Sequence, residues 1–205
     1  NSMNQKKKRS IIGISIGDLN GISVEVVIKS LPDNRTYKSI TPVIYAHGKA
    51  LTFYKKLLDL EQFNFAQIRN LDEVQHRRIN VINVTEECPE IIPGAETQEA
   101  GKFALEALRI AVEDLKEGRI QGLVTAPVNK NNINSEELPF VGHTEFITKA
   151  VGKTDSLMLM VAEQFNQLPP AAFKAMGAQQ FQQLPPAAFA GMTQQQMGQM
   201  PPTAM

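Results

Sequence analysis

Tryptophan is absent from the 205 residues, and cysteine occurs once, at Cys88 between Glu87 and Pro89. One thiol cannot close an intrachain disulfide, so the stapled class of small secreted domains is excluded and a reducing, cytoplasmic setting is expected. Nowhere does an apolar run approach the roughly 20 residues of a membrane-spanning helix. Residues 1–10 carry cations with no apolar stretch behind them, which is not the pattern of a secretory leader. Within them, Asn1-Ser2 before Met3 reads as a cloning remnant and Lys6 to Arg9 as a solubilising basic terminus. An excess of either charge is lacking too, since Lys plus Arg and Asp plus Glu both number 21. No long-range field therefore draws the chain to nucleic acid or to an anionic membrane.

What the sequence does have is an alternation of short apolar runs with amphipathic stretches. Ile11 to Ile16, Thr41 to Ala46, Ile79 to Val84, Gln121 to Thr125 and Ser156 to Val161 read as buried strands. Between them, helices are expected over 22–31, from Leu51 to Leu58, from Thr97 to Lys116 with Gly118 as its stop, and over 145–151. This pattern predicts an α/β domain over 11–163, a parallel or mixed sheet covered by helices on both faces. After the first strand, Gly17 and Gly21 allow a tight turn, with Ser23 or Asn20 to cap the helix. The glycine spacing matches neither nucleotide-binding fingerprint. His47 reads as a turn histidine in preference to a ligand contact, and His76, among Gln75, Arg77 and Arg78, as a surface residue.

The chemistry concentrates between Gly122 and Phe146. A strand breaks at Thr125-Ala126-Pro127 into a polar loop carrying Lys130, and thirteen residues later comes Gly142-His143-Thr144-Glu145-Phe146. A cation at a strand's carboxyl end, followed by an imidazole beside a hydroxyl, suits a polar anionic ligand. The pair of strings, TAPVNK and PFVGHTEF, resembles the 4-hydroxythreonine-4-phosphate dehydrogenase family of pyridoxal phosphate biosynthesis. The resemblance covers about residues 10–162. Gly17-Asp18, Gly21 and Glu25 also resemble that family's opening GDPxGIGPE string, with Leu19 in place of the proline and Ser23-Val24 in place of Gly-Pro.

The resemblance implies two α/β domains flanking a cleft, as in isocitrate and isopropylmalate dehydrogenases, with this chain similar to the amino-terminal half. It implies that His143 and Thr144 bind a small phosphorylated hydroxy-amino acid and that Lys130 lies near its phosphate or carboxylate. Asp18 and Gly21 would shape the first loop. It further implies NAD or NADP, a divalent metal (Zn, Mg or Co), a homodimer, and oxidation followed by loss of CO₂. The family's metal sits on three histidines, the first in a Thr-His-x-Pro-Leu-like string beyond Val161. His47, His76 and His143 lie in no such string, so no metal ligand or cofactor residue carries over. On that basis the chain is expected to be truncated or fused and inactive.

Beyond Glu163 the composition changes. Residues 164–205 hold one charged side chain, Lys174, and repeat every 16 positions: Pro169-Pro170, Pro185-Pro186, Pro201-Pro202, and Phe165, Phe181, Met197. Stacked short helices and a disordered Gln/Pro-rich segment are both compatible with this pattern, and Thr193 to Gln196 could cap and start a helix. The alternative function is accordingly a binding or self-association module built on the repeat. An acyl- or phosphoryl-transfer enzyme would need a nucleophile motif, which the sequence lacks.

Overall fold

The computed structural model describes residues 9–31, 39–133, 142–154 and 193–198. Five strands, β1 Ser10–Ser15, β2 Ile40–Ala46, β3 Phe65–Ile68, β4 Ile79–Asn83 and β5 Gly122–Thr125, form one sheet in the order β3-β4-β2-β1-β5. All four pairings are parallel, with Ile14 of β1 opposite Ile44 on one side and Val124 on the other. The inner strands are buried on both faces, which is why they read as unbroken apolar runs; in β2, every residue from Thr41 to Ala46 is buried. The strand at 65–68 is not one the sequence predicts. It lies at the sheet's edge, is four residues long and alternates buried Ala66 and Ile68 with exposed Gln67.

The helices are α1 Ser23–Ser30, α2 Gly48–Leu57, α3 Gln98–Lys116, the single turn α4 Lys130–Ile133, and α5 His143–Ala150. Where the sequence suggests that Ser23 or Asn20 caps α1, the helix has Ile22 at its N-cap and no side-chain cap. Ser23 Oγ instead accepts from the Gly17 amide at 2.8 Å, and Asn20 is used elsewhere. Thr97 caps α3 through Oγ1, and Gly118, at φ +72°, follows its last turn. A sixth helix, α6 Gln194–Met197, begins after Thr193. The strand expected at Ser156 to Val161 and the other repeat positions of the tail lie outside the described residues.

α1 packs on α2, while α3 crosses β1, β2 and β5. Right-handed crossovers explain the arrangement: the chain moves one way along the sheet from β1 to β2 and β3 and returns the other way from β4 to β5. The reversal sends α3 to the opposite face from α1 and α2. Phe103, Ala107 and Ala111 of α3 join the main core with Ile14, Ile44 and Tyr45. Ala104, Leu108 and Val112 form a second cluster with Ile133, against which Phe146, Ile147, Ala150 and Val151 pack. One helix thus joins the sheet to the segment bearing the histidine motif, which accounts for its length and its broad apolar face. Residues 1–152 make one compact unit and residues 153–205 a second.

Candidate active site

The reversal point of the sheet lies between β1 and β5, where ligands of open α/β sheets settle, outside the carboxyl ends of the strands. Here the two following loops touch. The Asp18 amide donates to the Pro127 carbonyl at 3.0 Å, and the Ala126 amide to the Ser15 carbonyl at 3.0 Å. Gly17 makes the approach possible. A Cβ there would stand 1.8 Å from the Pro127 oxygen, deep inside van der Waals contact. Neither Gly17 nor Gly21 occupies the left-handed region, so the need at Gly17 is for space and not for an unusual turn conformation.

Asp18 is buried. Its Oδ1 accepts from the Asn20 amide at 3.0 Å, and its carbonyl from Gly21 at 3.3 Å. Gly21 lies directly beside that carboxylate, with a hypothetical Cβ 3.4 Å from Oδ2, an ordinary contact. Leu19, at the family's proline position, is fully buried, and its carbonyl accepts from the Tyr54 hydroxyl at 2.6 Å. Burial, then the Asp18 and Glu25 carboxylates, push the Tyr54 phenol above its ordinary pKa, so it remains a donor. The proline's stiffness is thus replaced by a buried anchor and one hydrogen bond.

Three loops join above this floor. Asn20 Nδ2 donates to Thr97 Oγ1 at 3.1 Å, and Asn20 Oδ1 accepts from the Ile92 amide at 2.8 Å. Asn132 Nδ2 donates to the Thr97 carbonyl at 2.9 Å. Asn129 and Asn131 both reach the Glu96 carboxylate, at 3.0 and 3.3 Å. Gly101 of α3 lies against the Asn132 carbonyl, where a Cβ would come within 1.9 Å. The first-strand loop, the 85–97 connection and the motif loop are therefore tied together by asparagines, of which Asn129 lies within the TAPVNK string and Asn131 and Asn132 just beyond it.

Lys130 opens α4 and is exposed. His143 is the first residue of α5 and Thr144 the second; both are partly buried. The His143 imidazole is pushed below its ordinary pKa first by burial and second by the Lys130 ammonium, so the two motif strings meet electrostatically. At neutral pH the imidazole is uncharged, with one ring nitrogen donating and the other accepting. Such a group beside a cation suits a ligand with both a hydroxyl and an anionic end.

The other histidines do structural work. His47 is buried and caps α2, Nδ1 accepting from the Lys49 amide at 3.2 Å; burial lowers its pKa against a bond to the Glu86 backbone. His76 is exposed, its Nδ1 2.8 Å from Thr41 Oγ1. Among the described residues no group of three or more His, Cys, Asp or Glu could hold a metal ion, so the described side chains offer no set of ligands for one. A groove of about 420 Å³ along α2 and β3, lined by Lys49, Phe53, Lys56, Phe65 and Gln67 among others, shares no residue with this site.

Comparison with known proteins adds the following. Residues 38–173 match the family described as "Pyridoxal phosphate biosynthetic protein PdxA". A 4-hydroxythreonine-4-phosphate dehydrogenase of Bacteroides thetaiotaomicron is 39% identical over 155 residues, 75% of this chain and 42% of that protein. A protein of Oceanobacillus iheyensis bearing the provisional name D-threonate 4-phosphate dehydrogenase is 29% identical, over 75% of this chain and 47% of its own. The crystal structure of a 4-hydroxythreonine-4-phosphate dehydrogenase from Burkholderia phymatum superposes with a TM-score of 0.68 at 27% identity, covering 76% of this chain and 48% of that one. The chain thus spans about half the length of these relatives.

Proposed function

Because the chain belongs to the family of the pyridoxal phosphate biosynthetic protein PdxA, we propose that it supplies the substrate-binding face of an NAD(P)-dependent dehydrogenase acting on 4-hydroxy-L-threonine phosphate. What supports this reading is the contact between the loops after β1 and β5, from the second of which Lys130 follows, together with the Lys130 ammonium as a second cause, after burial, of the lowered His143 pKa. In it, Lys130 pairs with the substrate's phosphate or carboxylate. The neutral imidazole of His143 and the Thr144 hydroxyl hydrogen-bond its polar end. Asp18 and Gly21 keep the first loop in shape. NAD or NADP, when bound, would accept the hydride; neither it nor a metal is assigned residues in this chain. Bound substrate is therefore oriented here, while the 205 residues alone are not expected to turn it over. A homodimer in the cytoplasm belongs to the same reading.

The test is an NMR titration of the full chain with phosphorylated 4-hydroxy-L-threonine and, separately, with D-threonate 4-phosphate, alongside an assay of NADH formation with added Zn²⁺. Shifts confined to the loops around Lys130 and His143, abolished by Lys130→Ala, are expected with the first compound, and no NADH. Preference for the second compound would move the substrate assignment to the relative's. Rapid NADH formation would overturn the binding-only role. A second reading, self-association through the repeat of residues 164–205, rests on that segment's single charge. Equal sedimentation of the full chain and of residues 1–163 would argue against it.

A further inference from the structure

The structure assigns to Asn20 the role of a positioning residue that fixes Lys130 through Thr97 and Asn132. This rests on the reading of Lys130 as the substrate's cation. Asn20 cannot itself touch a ligand: it is 3% exposed, and all four of its polar groups are engaged. Its amide donates to Asp18 Oδ1, its carbonyl accepts from Gly94 at 2.7 Å, Oδ1 accepts from Ile92, and Nδ2 donates to Thr97 Oγ1. The geometry hands the constraint onward. Thr97 Oγ1 also receives the Ala100 amide at 3.3 Å, and its carbonyl receives Asn132 Nδ2.

Asn132 lies in the same helical turn as Lys130. A four-residue helix has no stability of its own, since nucleation alone is unfavourable, so the position of the Lys130 charge is set by whatever anchors that turn. The Asn132 side chain provides one anchor, under a burden: its Oδ1 is buried and meets no hydrogen-bond donor among the described residues. Leaving an amide oxygen in that state is unfavourable. An apolar side chain would avoid the penalty but would lose the tie to Thr97. An amide retained there at such a cost points to placement of the turn, where displacement of a binding group by about 1 Å is enough to matter.

The His143 imidazole reads the position of the Lys130 charge, and the chain's only other histidines, His47 and His76, are controls. In the full 205-residue chain, NMR pH titration of the three imidazoles would be compared for wild type, Lys130→Ala, Asn20→Leu, Thr97→Val and Thr97→Ser. Lys130→Ala is expected to raise the His143 pKa. Asn20→Leu and Thr97→Val should recover most of that rise, Thr97→Ser none of it, and His76 should stay in place throughout. In the double variant Lys130→Ala/Thr97→Val the two effects should not add, because both act through one charge. If Lys130→Ala moves His143 and Thr97→Val does not, or if their effects add, the positioning role is overturned. If Lys130→Ala leaves His143 unmoved, the site reading itself falls. Should Asn20→Leu fail to fold, the Thr97→Val and Thr97→Ser pair decides the matter.

Discussion

Tyr45 and Asp114 meet across 69 positions of sequence, the phenol donating to Oδ2 at 2.7 Å while Arg119 donates to Oδ1 at 3.2 Å. Tyr45 is fully buried, and burial together with the carboxylate drives its pKa far above the ordinary phenol range. The hydroxyl is thus a permanent donor to a buried charge. Tyr45→Phe keeps the ring and removes the donor, and is expected to destabilise the fold by about 1–3 kcal/mol in urea unfolding, the penalty of an under-satisfied buried acceptor. An unchanged midpoint would contradict this. At the same scale, His47 and His143 both have pKa values below the ordinary 6.5. As pH falls through that value the unfolded chain takes up protons first, so stability present above it is lost toward the lower folded pKa values. Thermal midpoints should fall on acidification, and less steeply in a His47→Asn/His143→Asn variant, where the amide introduced at position 47 can still cap α2. A flat wild-type profile would count against both assignments.

Helix α3 carries the element-scale argument, because Gly101 is a weak helix former retained in its interior. On an exposed helix, glycine to alanine would gain roughly 1 kcal/mol. Here the added methyl would press on the Asn132 backbone carbonyl at 1.9 Å, and overpacking of that kind costs about 1–3 kcal/mol. Gly101→Ala is therefore expected to destabilise, or to push α4 and its lysine outward. Denaturation midpoints and the His143 titration would register it, and a stabilised variant would disprove the close contact. How far sequence reading reaches is visible in the same elements. β1, β2, β4 and β5 are legible because each is a short apolar run ending in turn residues. β3 is not, because an edge strand of four residues with Gln67 facing outward has too short a period to read. The lysine and histidine strings stand out by resemblance. Asn20, Thr97 and Asn132 do not, since the partners that give them meaning lie 77 and 35 positions away.

For the whole molecule, exposed apolar side chains gather near the proposed site: Ile22 at the start of α1, Val26 one turn on, and Ile92, whose amide Asn20 holds. Val124 of β5 is also about half exposed, and among the described residues β5 pairs only with β1. An edge strand and an apolar rim favour association. Val124→Lys is accordingly expected to lower the sedimentation coefficient of a self-associating chain while leaving its far-UV spectrum intact; unchanged association would remove β5 from the interface. The contact between Gly17 and Pro127 has a consequence of a different kind. The two residues follow adjacent strands, yet more than a hundred positions separate them along the chain. On a ribosome, the first four strands can emerge and pair while the proposed site does not yet exist; it comes into being only when the fifth strand has cleared the exit tunnel and docked. A nascent chain paused before that moment would be structured and unable to recognise anything.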